Sequence, residues 1–395
     1  MRADKEPITE PITHFLTGAC IGRAGFNRRT AYATLAATLA AEAADVDVVW
    51  LLRGPVEQLQ HHRGITHTLV AAPVVAAVVT GFIWGMDRWF FKRRARLRAQ
   101  KQENILRTLD GGERLPQPLR SASVHWGWVY AATWVASLSH LLLDWTNNYG
   151  LRPFFPFNAR WYSGDLVFIA EPVLWGIFAL ALLMPALLGL ADEEMGARKT
   201  VHRGQGWAIF ALAAMVAFWG WRWVEHERGL IMMNQTQVAS GHVQRVALEP
   251  YPINPTRWHA ILETATTYQV AEVNTHTGTI ESDPQRDILF KPQETAAVRA
   301  AKQTELGRVY MDWGRWAMVE DVGPEPIPGL KPATLDPPRL APRRRWTTVR
   351  FDDLRFQYSW RGRGRIDGPS PLTGWVYIVD DQDDAGEAFG SRAER

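Results

Sequence analysis

Up to about residue 225, apolar residues in this chain come in long uninterrupted runs; after it they come in short runs interleaved with polar positions. Residues 68–86 (TLVAAPVVAAVVTGFIWGM) are uncharged over a full membrane thickness, and 124–143 (VHWGWVYAATWVASLSHLLL) match them but carry two histidines. Further runs cover 166–190, with Glu171 near its start, and 206–221, which ends in a tryptophan-rich belt. Residues 31–52 are apolar for half their length and then meet Glu42, Asp45 and Asp47, reading as a span whose outer end is functional. Beyond residue 230 the pattern turns strand-like in WHAILETATTYQVAEVNTHTGTIE, WTTVRFDDLRFQYSW and GWVYIVDD, with one helix expected over 294–312. The predicted architecture is a membrane all-α helical bundle of about five transmembrane helices plus a short N-terminal helix, residues 1–225. A soluble, mainly antiparallel α+β domain follows at 226–395. The proline-rich stretch around 323–345 reads as an extended loop, and the last dozen residues read as disordered.

Charge adds an orientation. The loop 92–120 holds nine Lys/Arg against three acids, which places it in the cytoplasm. Alternation from that anchor puts 53–67, 147–164 and everything after Val224 outside, so the expected location is a bacterial inner membrane with a periplasmic C-terminal domain. The N-terminal stretch has acids where a secretory signal peptide would be basic, so the first helix is expected to act as its own insertion signal. The net charge of +3 gives no case for nucleic acid; the basic clusters sit beside membrane segments, where lipid headgroups are the expected partners. Nineteen tryptophans read as interfacial anchors. Oligomeric state is left open.

The chemistry lies in ionisable groups that a bilayer makes expensive. The outer ends of the predicted helices gather Asp45, Asp47, His62, His67, His140, Asp144 and Asp165 at one face, with His14 joining if the segment 8–25 dips into the membrane. His140 and Asp144 are i, i+4 and share a helix face, a spacing that lets two side chains bind one ion. Cys20 is the sole cysteine, so a metal here must be held by histidine and carboxylate. That donor set suits zinc first, with manganese or iron as alternatives. The metal set is His14, Asp45, His62, His67, His140 and Asp144. Arg63 is assigned to neutralising an anionic substrate, and Asp47 or Asp165 to general base. Asp165 also fits a helix cap before Leu166, and His61 a surface position. His125, His202, His226, His242, His259 and His276 are solitary and read as structural.

Five motifs in order carry a resemblance: Thr13-His14 with Gly18, Asp45-x-Asp47, His62-Arg63-Gly64-Ile65-Thr66-His67-Thr68, His140-x-x-x-Asp144, and Tyr149-Gly150. Over residues 10–175 the chain resembles the YdjM-type, LexA-regulated membrane-bound metal-dependent hydrolases. Where that family has a proline before its D-x-D, this chain has Ala44. The resemblance implies a membrane-bound metal-dependent hydrolase. A metal would lower the pKa of a bound water to about 7, and the outer membrane face favours a lipid or lipid-linked phosphoester. A metal or proton transporter using the same His/Asp cluster is the alternative; against it stand the nearly charge-free runs and the absence of an internal repeat.

Overall fold

The computed structural model describes residues 9–91, 123–194, 204–235, 241–327, 345–358, 370, 372–381, 383–390 and 392–393. The basic loop 92–120, His202 and most of the proline-rich segment lie outside these residues.

Among the described residues, seven helices make up the first part: α1 (Thr9–Ala24), α2 (Ala33–Glu42), α3 (Pro55–His61), α4 (Ala71–Met86), α5 (Trp126–Thr146), α6 (Pro172–Glu194) and α7 (Gln205–Gln235). Short 3-10 turns punctuate them, and one of these, Ala43–Leu52, is ten residues long. α1 and α2 approach closely because their facing residues are small. A methyl group at Gly18 would sit 2.7 Å from the Ala37 carbonyl oxygen, and one at Gly22 would sit 2.4 Å from the Thr34 Cα. Ala36, Ala37, Ala40 and Ala41 of α2 also pack against Val129, Ala132 and Ala136 of α5. Small residues on facing helices let backbones nearly touch, and this seam sets the height of His14, one turn before Gly18.

Among the described helices, α7 is long and apolar enough to cross a bilayer; a second crossing arises only if the pair Pro55–His67 and Ala71–Phe90, bent by 85°, counts as one span. Five spans are therefore not established. The run 31–52 is not one helix, because α2 stops at Glu42 and gives way to the 3-10 segment. The run 166–190 enters a helix only at Pro172, so Asp165 does not cap it. α4 has 16 residues, about 24 Å of helix against a hydrocarbon core of about 30 Å.

The second part is antiparallel, as expected. One sheet runs β1 (Arg245–Pro250), β2 (Arg257–Glu263), β3 (Thr267–Asn274), β4 (Thr279–Glu281), with β5 (Ile288–Phe290) also on β3. The expected helix over 294–312 is two, α8 (Ala296–Gln303) and α9 (Glu305–Trp313). The hydroxyls of Thr295 and Thr304 cap them, each accepting a backbone N–H at 3.1 Å. The other sheet has the order β10-β9-β8-β7-β6, formed by β6 (Ala317–Gly323), β7 (Trp346–Asp353), β8 (Gly374–Val379), β9 (Asp383–Phe389) and β10 (Arg392–Ala393). The C-terminal dozen thus contains strand, correcting the expectation of disorder: β9 finds a partner edge on β8 that local composition does not reveal.

The described residues of the two parts share apolar cores. α7 runs through the expected boundary at 225 and 226 and packs Met233 with Leu248 and Trp258. Val56 and Leu59 of α3 and Tyr149 share one core with Leu306, Tyr310, Trp313 and Phe351. Trp258 is fully buried beneath Arg222, whose guanidinium lies 3.9 Å from its ring centre. Several tryptophans are thus core residues, not interfacial anchors.

Candidate metal centre

Four separate stretches deliver the site. α1 brings His14, the 3-10 segment after α2 brings Asp45, the 3-10 turn Ile65–His67 brings His67, and α5 brings His140 and Asp144. Two triads, His14–His140–Asp144 and Asp45–His67–His140, could each hold a metal ion, and they share His140. The contacts between donor atoms are short and uniform. His14 Nε2 lies 3.4 Å from Asp144 Oδ1, and His67 Nε2 lies 3.2 Å from Asp45 Oδ1 and 3.4 Å from Asp144 Oδ2. His140 Nε2 lies 3.3 Å from Asp144 Oδ2 and 3.6 Å from Asp45 Oδ1. Ligands about 2.0–2.2 Å from one ion stand roughly 3.0–3.6 Å from one another, so these separations suit a shared ion.

The surroundings test that fit. His140 Nδ1–H donates to the Ala41 carbonyl at 2.6 Å, which leaves Nε2 as a lone pair directed at two carboxylates. With a neutral imidazole, acceptor then faces acceptor, and a proton on Nε2 or a metal ion among these groups resolves the conflict. His140 Nε2, Asp144 Oδ2, Asp45 Oδ2 and His14 Nδ1 are buried with no hydrogen-bond partner. Buried polar atoms are seldom left so, and two of the four, His140 Nε2 and Asp144 Oδ2, are among the converging donor atoms. His14, His67, His140 and Asp144 are nearly inaccessible, whereas the Asp45 side chain is 23% exposed. Asp45 marks the opening.

Three sequence assignments change place. Arg63 is fully buried: its Nη2 lies 2.8 Å from Asp144 Oδ1, and its Nη1 donates to Asn147 Oδ1 at 3.0 Å and to the Gly150 carbonyl at 2.9 Å. Its charge is spent on a ligand, and it orients Asp144 in place of meeting a substrate anion. Asp165 lies outside both triads; it takes a left-handed backbone, φ 52°, and pairs with Arg315 at 3.0 Å. That ion pair, not a free base, is its role. His62 also falls outside the triads and sits 3.3 Å from Asp47 Oδ1.

Asp47 is the hub of the outer shell. Its Oδ2 accepts the Arg63 backbone N–H at 2.9 Å and lies 3.3 Å from His67 Nδ1, so it can fix the tautomer that turns Nε2 inward. Thr66 Oγ1 stands 3.0 Å from the same Nδ1. His61 lies at the surface against Glu57, as read from sequence. Sequence reasoning missed Asn147 and the Ala41 carbonyl. The pair Asn147-Asn148 just past the helix end was a usable signal, since asparagine there satisfies loop backbone: Asn147 Oδ1 accepts from the Tyr149 N–H at 2.9 Å. The Ala41 carbonyl left none, because any residue type supplies one.

The helical half thus buries a convergent His/Asp group that could hold a metal ion, within helices of which at least one is long and apolar enough to cross a membrane. The YdjM inner membrane protein family matches residues 10–229, more than half of the chain, and the chain belongs to that family. No curated protein and no solved structure matches it.

Proposed function

We propose that the chain is a membrane-bound metal-dependent hydrolase whose substrate is a lipid or lipid-linked phosphoester reached from the outer membrane face. The convergence of three imidazoles and two carboxylates, with unpartnered lone pairs, carries the metal part of this reading. His14, Asp45, His67, His140 and Asp144 would hold the ion, with zinc the first expectation for this donor set and manganese or iron behind it. Such an ion supplies a water acidic enough to attack at neutral pH and a Lewis acid for the scissile group.

The lipid part rests on what surrounds the opening. Asp45 is flanked by exposed Val46, Val48, Val49 and Leu52, the last 85% exposed, and the turn bearing His67 presents exposed Ile65, Leu69 and Val70. An apolar rim of this extent on a polar centre suits a substrate with an acyl or isoprenoid tail. His62 is partly exposed and hydrogen-bonded to Asp47. It takes the proton-transfer role first given to Asp47 or Asp165, because it combines access to the opening with a carboxylate behind it.

The test is metal content of detergent-purified protein beside a His67→Ala, His140→Ala double variant, followed by incubation with labelled phospholipid. Stoichiometric metal lost in the variant, with metal-dependent release of product, is the expected result. Well-folded wild type that takes up no zinc, manganese or iron would overturn the reading, and metal uptake with metal transport but no hydrolysis would favour the transporter.

A further inference from the structure

Residues 147–150 stand between the metal centre and the sheet domain and are held from both sides. On the centre's side, Arg63 Nη1 grips the Asn147 side chain and the Gly150 carbonyl while Arg63 Nη2 reaches Asp144 Oδ1. From the sheet domain comes Arg355, fully buried just after β7. Its Nη1 donates to the Asn148 carbonyl at 2.9 Å and the Tyr149 carbonyl at 3.4 Å. Its Nε and Nη2 each lie 2.9 Å from a carboxylate oxygen of Asp353, which locks the guanidinium in one plane. The Tyr358 hydroxyl accepts from Asn148 Nδ2 at 3.1 Å, and the Tyr149 ring lies 4.8 Å from the Arg63 guanidinium carbon.

We infer that Arg355 is a positioning residue for the metal centre, acting through residues 148–149 and Arg63 on the ligand Asp144, so that the appended domain tunes how tightly the helical half holds its ion. This rests on the metal reading above. The geometry favours it over simple docking because the bridge is short and doubly determined. Two consecutive carbonyls turn toward Arg355, while Asn147 Oδ1 and the Gly150 carbonyl on either side of them turn toward Arg63. Moving the two middle peptides reorients the acceptors that aim Arg63. A residue hydrogen-bonded directly to a ligand, as Arg63 is to Asp144, commonly changes metal affinity by 10–100-fold, and Arg355, which acts through Arg63, is expected at the low end of that range. A guanidinium is required, since only a planar fork meets a carboxylate with two nitrogens and carbonyls with the third.

The test uses full-length protein in detergent, loaded with cobalt(II) as a spectroscopic probe, in wild type, Arg355→Met, Arg355→Lys and Arg315→Met. Arg315 also joins the two parts, through Asp165, but does not touch 147–150. Arg355→Met is expected to bind cobalt(II) about 10-fold more weakly with an altered ligand-field spectrum, Arg355→Lys to recover part of that loss, and Arg315→Met to keep wild-type affinity and spectrum. Should Arg355→Met not fold, Tyr358→Phe replaces it, removing the hydroxyl that accepts from Asn148 Nδ2 and donates to the Pro250 carbonyl; a weaker affinity and shifted spectrum support the inference, and wild-type values overturn it. Folded Arg355→Met with wild-type affinity and spectrum likewise overturns it. Wild type that binds no cobalt(II) refutes the metal reading instead, so the two failures are told apart.

Discussion

Two knots of buried charge flank residues 147–150, and they obey opposite rules. Around Arg355 and Asp353 the groups are spent on each other: all three guanidinium nitrogens donate, and Asp353 also accepts the backbone N–H groups of Arg355 and Trp316. Around His140 and Asp144 the donor atoms converge but leave lone pairs unmatched. Burial by itself does not separate the two, since both sets are nearly inaccessible to solvent. What separates them is whether the hydrogen-bond inventory closes. A closed inventory marks architecture; an open one, with acceptors facing acceptors, marks a place for a cation.

The sharpest way to break this comparison is to remove one partner from each knot. Asp353→Ala strands a buried guanidinium and should cost about 3–5 kcal/mol, read as a fall in thermal or denaturant midpoint. Asp45→Asn in metal-free protein removes one of several crowded acceptors and should leave the midpoint unchanged or raise it. Equal destabilisation by both would erase the distinction. A smaller effect is expected from Asp47→Asn, which weakens the hold on His67 and His62 without removing a ligand: metal affinity should drop about 10–100-fold, measured by competition with a chelator, while the fold stays intact. An unchanged affinity would show that Thr66 alone suffices to orient His67.

The mildest test concerns Glu249, buried in β1 near the closed knot with neither carboxylate oxygen hydrogen-bonded. Burial, then the charge of Asp165, push its carboxyl well above the ordinary glutamate value, against the pull of Arg315 and Arg355. The folded protein therefore keeps a proton that the unfolded chain releases near pH 4.3 or so. Folding stability attributable to this group is complete below that pH and is lost as pH rises toward the folded value. Glu249→Gln should flatten this decline, so the variant gains on wild type between pH 5 and pH 8 in thermal unfolding. A constant difference across that range would mean that Glu249 does not titrate as its surroundings dictate.

The ligands themselves were legible in the sequence because their chemistry is local. His140 and Asp144 sit four apart on one helix, Asp45 and Asp47 flank one residue, and His67 belongs to a dense polar motif between apolar runs. His14 was legible too, since a polar group in a small-residue helix has few uses there. The errors share one cause. Arg63, Asp165 and His62 were assigned by residue type and predicted depth, whereas their roles depend on partners 81, 150 and 15 residues away. The five spans are not established for a related reason: hydropathy reports apolar content, but the regular helix breaks at Ala43 and begins late at Pro172.

By itself, then, the sequence determined which residue types could meet, that the first part is helical and apolar, and that the second is antiparallel sheet, because periodicity and local spacing encode these directly. Only the tertiary structure decided which charges neutralise one another and which stay open. That outcome is fixed by contacts such as Arg63 with Asp144 and Arg355 with the Asn148 carbonyl, 207 residues apart. Electrostatic pairing depends on distance in space, and the chain order carries no record of it until the helices and sheets have packed.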